Sequence, residues 1–380
     1  MRSLLLFLLV SMAVAVPAAD APPHHTPAGF RNNYPHAEKG FADFLRWRRD
    51  RLLHPPPPAA AEALPAPVTP ALDLLHANDG GITVTFIGHS TLLLQVDGSN
   101  LLTDPQFSAR ASPVGFAGPA RAQPPGVALA SLPHIDAVLI SHNHYDHLDT
   151  ASLAQLCRQR GGPPRLLLPL GLAGWAHRQL PHCAAGGIVE LDWWQENRLG
   201  NLRLVFTPVQ HWSQRTLLDR NRSLWGGWAV LAPDFRFWFS GDLGYSRDIA
   251  DVGERLGPFD LAAIAVGAYE PRWFMQAFHM NPDEAVRARQ DLRARQAIGI
   301  HFGTFRGLTD EPLGQPARDL ADARRQHGVA DADFVLLRHG ETRRWLHGAL
   351  APSHATADEQ VADGCRGAAA IVAVATCGEP

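Results

Sequence analysis

Cysteine is scarce in this chain of 380 residues: four occur, and none falls in a C-x-x-C pair. A disulfide-dense miniature scaffold and a thiolate zinc module are thereby excluded. Surplus positive charge is also missing. The formal net charge is −3, which argues against an electrostatic nucleic-acid binder. No internal repeat is evident, and the apolar stretch Leu4 to Val16 is too short to span a bilayer comfortably. Hydrophobic residues make up 46% and charged ones 19%, a balance that suits a packed core and excludes a disordered or collagen-like chain.

What is present divides the chain. Arg2, the apolar stretch and the small residues Ala13, Ala15, Ala18 and Ala19 read as a secretory signal peptide over residues 1–19. The mature protein is then expected outside the cytoplasm, periplasmic or secreted; an uncleaved membrane anchor is the alternative. Residues 20–80 form an N-terminal extension. Within it Phe41, Phe44, Leu45 and Leu52 approximate helical spacing, with Arg46, Arg48, Arg49 and Arg51 on other faces. Such a helix ordinarily packs its apolar stripe on the domain, and an anionic membrane surface is the other contact its composition suits. Pro55 to Pro58 and the Ala/Pro-rich run to Pro70 read as a stiff linker. Residues 81–348 are long enough for one large catalytic domain, and 349–380 form an Ala/Gly-rich tail. Cys157, Cys183, Cys365 and Cys377 allow two disulfides whose pairing stays open.

Strand signals begin near Gly81. Ile82 to Ile87 alternates with period two, Thr91 to Val96 follows, and Asp97-Gly98 turns the chain into Asn100 to Thr103. Further apolar strands are expected at Ile135 to Ile140, Leu202 to Thr207, Trp228 to Leu231, Phe235 to Phe239, Leu261 to Val266 and Ala297 to Ile300. Asp149 is placed to cap a helix through Arg158, and Asn281 to cap another over Pro282 to Arg295. Hairpins followed by strand–helix alternation predict an α/β (α+β) architecture, sheets with helices outside.

The densest chemistry lies in His142-Asn143-His144-Tyr145-Asp146-His147. Imidazole nitrogen and carboxylate oxygen suit a borderline metal such as zinc, and one short loop in the order H-x-H-x-D-H supplies ligands to two neighbouring ions. Three other strands end on a potential ligand: His211, Asp242 and His301. Groups beyond the carboxyl ends of strands share one rim in open α/β architectures, so a binuclear centre is expected. A lone strand-end histidine would be read as structural; four strand ends repeating the pattern reverse that reading.

The motifs Leu102-Thr103-Asp104-Pro105, Ser141 to Asp149, His211-Trp212-Ser213, Ser223 to Gly227, Gly241-Asp242, Tyr269 to Met275 and Ile300 to Thr304 resemble the metallo-β-lactamase superfamily. Within it they are similar to the phospholipase D branch that hydrolyses N-acyl-phosphatidylethanolamine. The resemblance, from about Phe30 to His347, implies an αββα sandwich of two mixed β-sheets flanked by helices, with two zinc ions at one edge (iron or manganese also accept these donors). It implies that His142, His144 and His211 hold one ion, that Asp146, His147 and His301 hold the other, and that Asp242 bridges them. It places Asp104 near the site, orienting water or a ligand histidine, against a plain turn-forming Asp-Pro. It places His279 beside the metals as a substrate contact, against a surface histidine. Phe278 departs from the polar amide expected before it, which leaves the head group open. Trp273, Phe274, Met275, Phe278 and Met280 are candidates for an acyl-chain groove, against ordinary core.

The implied reaction is phosphodiester hydrolysis by a metal-bridging hydroxide, with Asp146, Asp104 and His279 as catalytic candidates. A phospholipid or other phosphodiester is the implied partner, with peripheral membrane contact and a homodimer as further expectations. A lactonase or sugar-phosphate hydrolase could use the same centre, a two-iron electron carrier would need a flavin domain that is not apparent, and a non-catalytic envelope protein would waste a complete ligand set.

Overall fold

The computed structural model describes residues 21–55 and 64–352. The segment expected to be a signal peptide, part of the proline-rich linker, the tail beyond Pro352 and with it Cys365 and Cys377 lie outside the described residues.

Two mixed sheets form the domain. In the first, Thr83–Gly88, Thr91–Val96 and Ser99–Thr103 run as an antiparallel meander, and Ala137–Leu139, Arg165–Pro169 and Ile188–Leu191 continue from Ser99–Thr103 in parallel. Thr342–Leu346 and Ala349–Pro352 extend its other side, so the first four residues assigned to the tail belong to the sheet. The second sheet repeats the plan without a sequence repeat. Glu196–Leu199, Leu202–Thr207, Gly227–Leu231 and Arg236–Phe239 are antiparallel, and Phe259–Ala265, Ala294–Ile300 and Phe334–Val335 follow in parallel.

Period-two alternation decides which side chains go where. Phe86, Leu92 and Leu94 point between the sheets, where they meet Leu204, Phe206, Trp228 and Phe237. Their neighbours Ile87 and Leu93 point outward, under the helix Thr150–Leu156 with its buried Leu153 and Leu156. On the far side, Ile249 and Val252 of the helix Asp248–Leu256, with Val286 of Pro282–Asp291, pack against the second sheet. The layers are therefore helix, sheet, sheet, helix. Asp149 and Asn281 cap their helices through the Ala151 and Glu284 amides as expected. Both helices stop earlier than their sequence patterns suggested, at Leu156 and Asp291; the second is cut short because Ala294 already enters a central strand. Cys157 pairs with Cys183 in a disulfide beneath the first sheet's outer face.

The helix Phe41–Leu53 (α1) forms where its spacing placed it, but it lies differently. Its apolar stripe does not pack: Phe41, Leu45 and Leu52 are exposed, and only Trp47 is buried. Trp47 stacks on Phe274 and donates to Asp310, while Arg51 pairs with the same carboxylate. Polar anchoring along the Trp47–Arg51 side has won over burial of the more apolar side.

One core contact reaches the site directly. Trp228 is fully buried and its Nε1 donates to the carbonyl of Ile140, two residues before His142, at 2.9 Å. Trp228→Phe leaves that carbonyl without its donor and should lower unfolding free energy by about 1–3 kcal/mol. Urea denaturation checks this; an unchanged midpoint would show that the indole hydrogen bond is dispensable.

Candidate metal centre

Six strands deliver a site residue at the same edge. Thr83–Gly88 leads to His89, Ser99–Thr103 to Asp104, Ala137–Leu139 to His142, Leu202–Thr207 to His211, Arg236–Phe239 to Asp242 and Ala294–Ile300 to His301. These strands point the same way within their sheets, so their carboxyl ends converge. His89, Asp104 and His301 adopt positive φ of 57°, 33° and 61°, a conformation non-glycine residues hold only when the surroundings impose it. Gly241, at φ 58°, needs its missing side chain as well: a Cβ there would lie 2.6 Å from the Cβ of Ser141.

The side chains fall into two groups around one carboxylate. In the first, His142 Nε2 lies 2.8 Å from His144 Nδ1, which lies 3.5 Å from His211 Nε2. In the second, Asp146 Oδ2 faces His89 Nε2 at 3.1 Å, His301 Nε2 at 3.4 Å and His147 Nε2 at 3.5 Å. Asp242 Oδ2 stands between them, 3.1 Å from His147, 3.2 Å from His301, 3.8 Å from His142 and 3.9 Å from His211. The seven ligand candidates from the sequence are thus brought together, three and three with Asp242 in the middle.

The donor set fits divalent cations. His147 Nε2, His301 Nε2 and Asp242 Oδ1 are buried and have no hydrogen-bond partner among the described residues, a costly arrangement for groups serving only the fold. Burial pushes His142 and His211 well below the usual imidazole range and His144 down to about 4, so their nitrogens carry free lone pairs. Burial opposes charge on His301 too, yet Asp242 and Asp146 hold it up at about 9. Burial likewise disfavours a charged Asp242, but His147 and His301 keep that carboxyl well below its ordinary value. Negative charge at the centre therefore calls for positive charge beside it, which protons or metal ions supply.

Around this lies a supporting shell. Asp104 does not face the centre: it is fully buried, accepts from the Ser141 amide and hydroxyl at 2.7 and 2.5 Å, and meets His147 Nδ1 at 2.8 Å. It is a positioning residue for His147. His279 is beside the centre and not on the open surface, its ring centroid 5.5 Å from that of His301 and 5.3 Å from that of His211. Its Nδ1 is buried with no hydrogen-bond partner among the described residues, and burial takes its pKa down to about 4, which keeps the imidazole neutral. The proposed groove is covered at Trp273 and Phe274, which lie under α1 against Arg46 and Trp47. Met275 and Met280 are buried, and Phe278, also buried, borders the centre against His211 and Trp212.

Three contributors escaped the sequence reading. His89 sits on the turn between the first two strands; it too follows a strand end, the rule that found four others. Burial pushes it down to about 3. Asn32, in the irregular extension, brackets a ligand backbone: its Oδ1 accepts from the His211 amide at 3.0 Å and its Nδ2 donates to the His211 carbonyl at 2.9 Å. Arg215 holds the metal loop from outside, donating from Nη1 to the carbonyls of Asn143 and Leu148, both at 2.8 Å. No local pattern marks either residue.

A family model described as Beta-lactamase superfamily domain matches residues 99–302. N-acyl-phosphatidylethanolamine-hydrolyzing phospholipase D 1 of Caenorhabditis elegans is 40% identical over 275 residues, covering 70% of this chain and 76% of that protein. A protein named as a metal-dependent hydrolase in Pyrobaculum aerophilum is 28% identical, covering 67% of this chain and 98% of its own. Among solved structures, a possible metal-dependent hydrolase from Veillonella parvula superposes with a TM-score of 0.54 at 16% identity, covering 69% of this chain and 98% of that one; this is a likeness of fold.

Asp104→Asn keeps the shape but replaces the carboxyl group that meets His147 Nδ1, and should weaken metal affinity about 10- to 100-fold. Competition with a chromogenic chelator measures it, and wild-type affinity would refute the positioning role. Asn32→Leu should lower retention of the ion at the His142–His144–His211 group, giving about one ion per chain after dialysis instead of two. Two retained ions would show that the strap is not needed there.

Proposed function

This chain belongs to the metallo-β-lactamase superfamily and is a metal-dependent hydrolase, and from that premise we propose a zinc-dependent phosphodiesterase of phospholipase D type, acting on N-acyl-phosphatidylethanolamine or a related lipid. The observation that carries the reading is Asp242 Oδ2, within 3.1 to 3.9 Å of imidazoles from both groups. One carboxylate reaching two donor sets supports a pair of adjacent ions, the arrangement suited to in-line displacement at phosphorus. His142, His144 and His211 would hold one, His89, Asp146, His147 and His301 the other, with Asp242 shared. When bound, two such cations lower the pKa of water and neutralise charge on a phosphodiester's oxygens.

The chain's own residues supply the rest. His279 offers an unpaired ring nitrogen to a phosphate oxygen or leaving group. Phe278 and Trp212 wall the His211 side, and a cavity of about 170 Å³ runs beside His89 and His301 toward Arg51 of α1. His144, Asp146 and His279 are half-buried where His142, His147 and His211 are fully buried, which supports access from their side. Abundant imidazole with two carboxylates favours zinc. Products would be phosphatidic acid and an N-acylethanolamine. The leader and the Cys157–Cys183 disulfide support an extracytoplasmic location for this activity.

The test pairs metal analysis of purified protein with a panel of N-acyl-phosphatidylethanolamine, a short soluble phosphodiester, a lactone and a sugar phosphate. Two zinc ions per chain and turnover of the lipid diester are expected. Turnover of the lactone or sugar phosphate alone would replace the lipid reading with a different hydrolase. Asp242→Asn should lose most turnover together with metal retention; full zinc content and an unchanged rate would defeat the bridging assignment.

A further inference from the structure

A further set of convergent donors lies apart from the centre and shares no residue with it. His24 Nε2 stands 2.7 Å from Asp192 Oδ1, and His25 Nε2 stands 2.8 Å from Asp192 Oδ2. The three ligand atoms lie within 4.8 Å of one another, the same grouping that marks the donor sets of the centre. His24 and Asp192 are buried, at 7% and 8% exposed, and His25 is half-buried. Adjacent residues of an extended chain point opposite ways, so both imidazoles reach one carboxylate only through a bend. The His25 amide supplies it, donating to the Pro22 carbonyl at 2.9 Å. Beyond the bend, His25–Thr26 and Gly29–Phe30 pair as a two-stranded clip, and the Phe30 amide docks it on the Asn221 carbonyl at 2.8 Å. Asp192 directly follows the strand Ile188–Leu191 and accepts from the Trp193 amide on Oδ1 at 2.7 Å. Main-chain contacts therefore hold the donors from both sides.

We propose that His24, His25 and Asp192 form a separate divalent-cation site, of the zinc class, that straps the N-terminal extension to the first sheet. Two imidazole nitrogens and a carboxylate are the donor set of a borderline metal. The half-buried side of His25 leaves water to complete the coordination. Three protein donors with one open side bind more weakly than the bridged centre, so this ion leaves on dialysis and returns on titration. Its place in the fold gives it a task. His24 lies against Trp193, with ring centroids 4.3 Å apart, and Trp193 Nε1 donates to the Trp225 carbonyl at 2.6 Å. Trp225 Nε1 in turn donates to Asn32 Oδ1 at 3.0 Å, and Asn32 brackets the His211 backbone. An ion at His24 and His25 thus pins the stretch of chain that carries Asn32. The strap requires nothing of the ester that the centre hydrolyses.

The experiment titrates the dialysed full chain, its centre loaded, with zinc chloride, read by calorimetry and metal analysis. Wild type should take up one further ion per chain. His25→Gln keeps an N–H for Asp192 but removes a ligand nitrogen, which separates a metal site from a hydrogen-bonded cluster. It should take up no further ion, while keeping the metal content and melting temperature of dialysed wild type. Asp192→Asn should lose the further ion as well. The reading is a difference of one ion between proteins, so the number held by the centre does not enter it. Trypsin cleavage after the exposed Arg31 reads the strap itself. Zinc at about ten times its dissociation constant should slow that cut about tenfold in wild type and leave His25→Gln unaffected. Three outcomes overturn the proposal: no further uptake by wild type, uptake that survives both substitutions, or a cut at Arg31 indifferent to zinc.

Discussion

Everything at this edge depends on a buried carboxylate reaching two sets of imidazoles at once. Asp242 has no room to choose otherwise. Gly241 turns the chain at a φ closed to most residues, against Ser141, and delivers the carboxylate between the groups. Burial makes an isolated negative charge there expensive, so the arrangement persists only with compensating positive charge. Protons on His147 and His301 would meet that demand, and metal ions would answer it while freeing those nitrogens as ligands. Site geometry and metal binding are therefore one electrostatic problem.

The fold solves the positional half of that problem with repetition of plan. Each sheet passes from an antiparallel meander into parallel strands, and in each the site-bearing strands end at the shared edge. Side chains carried on strand ends inherit the rigidity of the core beneath them. Trp228 illustrates the connection, packed between the sheets and bonded to Ile140 just before the metal loop. Asp104 does the same laterally, using one carboxylate to fix both Ser141 and the His147 ring.

The strands and the clustered candidate histidines were legible because each is written locally: period-two alternation, an Asp-Gly turn, and H-x-H-x-D-H within six residues. The edge strand Glu196–Leu199 and the strand Thr342–Leu346 with its two arginines, second from the other sheet's edge, were not, since both stay partly open to solvent and carry little apolar pattern. His89 was open to the strand-end rule, but it stands apart in sequence from the histidine cluster at 142–147 and went unread. Asn32 and Arg215 were invisible for a deeper reason. Each acts by bonding to main-chain groups, at sequence distances of 179 for Asn32 and of 72 and 67 for Arg215, and a main-chain partner leaves no side-chain signature to match.

α1 shows where local pattern misleads. Its periodicity located the helix but not its orientation, because an amphipathic stripe does not say whether protein or something else will cover it. Here Trp47, Arg51 and Asp310 fix the helix through one stack, one hydrogen bond and one ion pair, and the apolar residues face away. The extension before residue 81 is consequently part of the working site. It clamps His211 through Asn32, overlies Phe274 through Trp47, and borders the entrance. A cut at the start of the first long strand would separate a domain by sequence pattern while dividing one structural unit, since the backbone of the candidate ligand His211 is held from the far side of that cut.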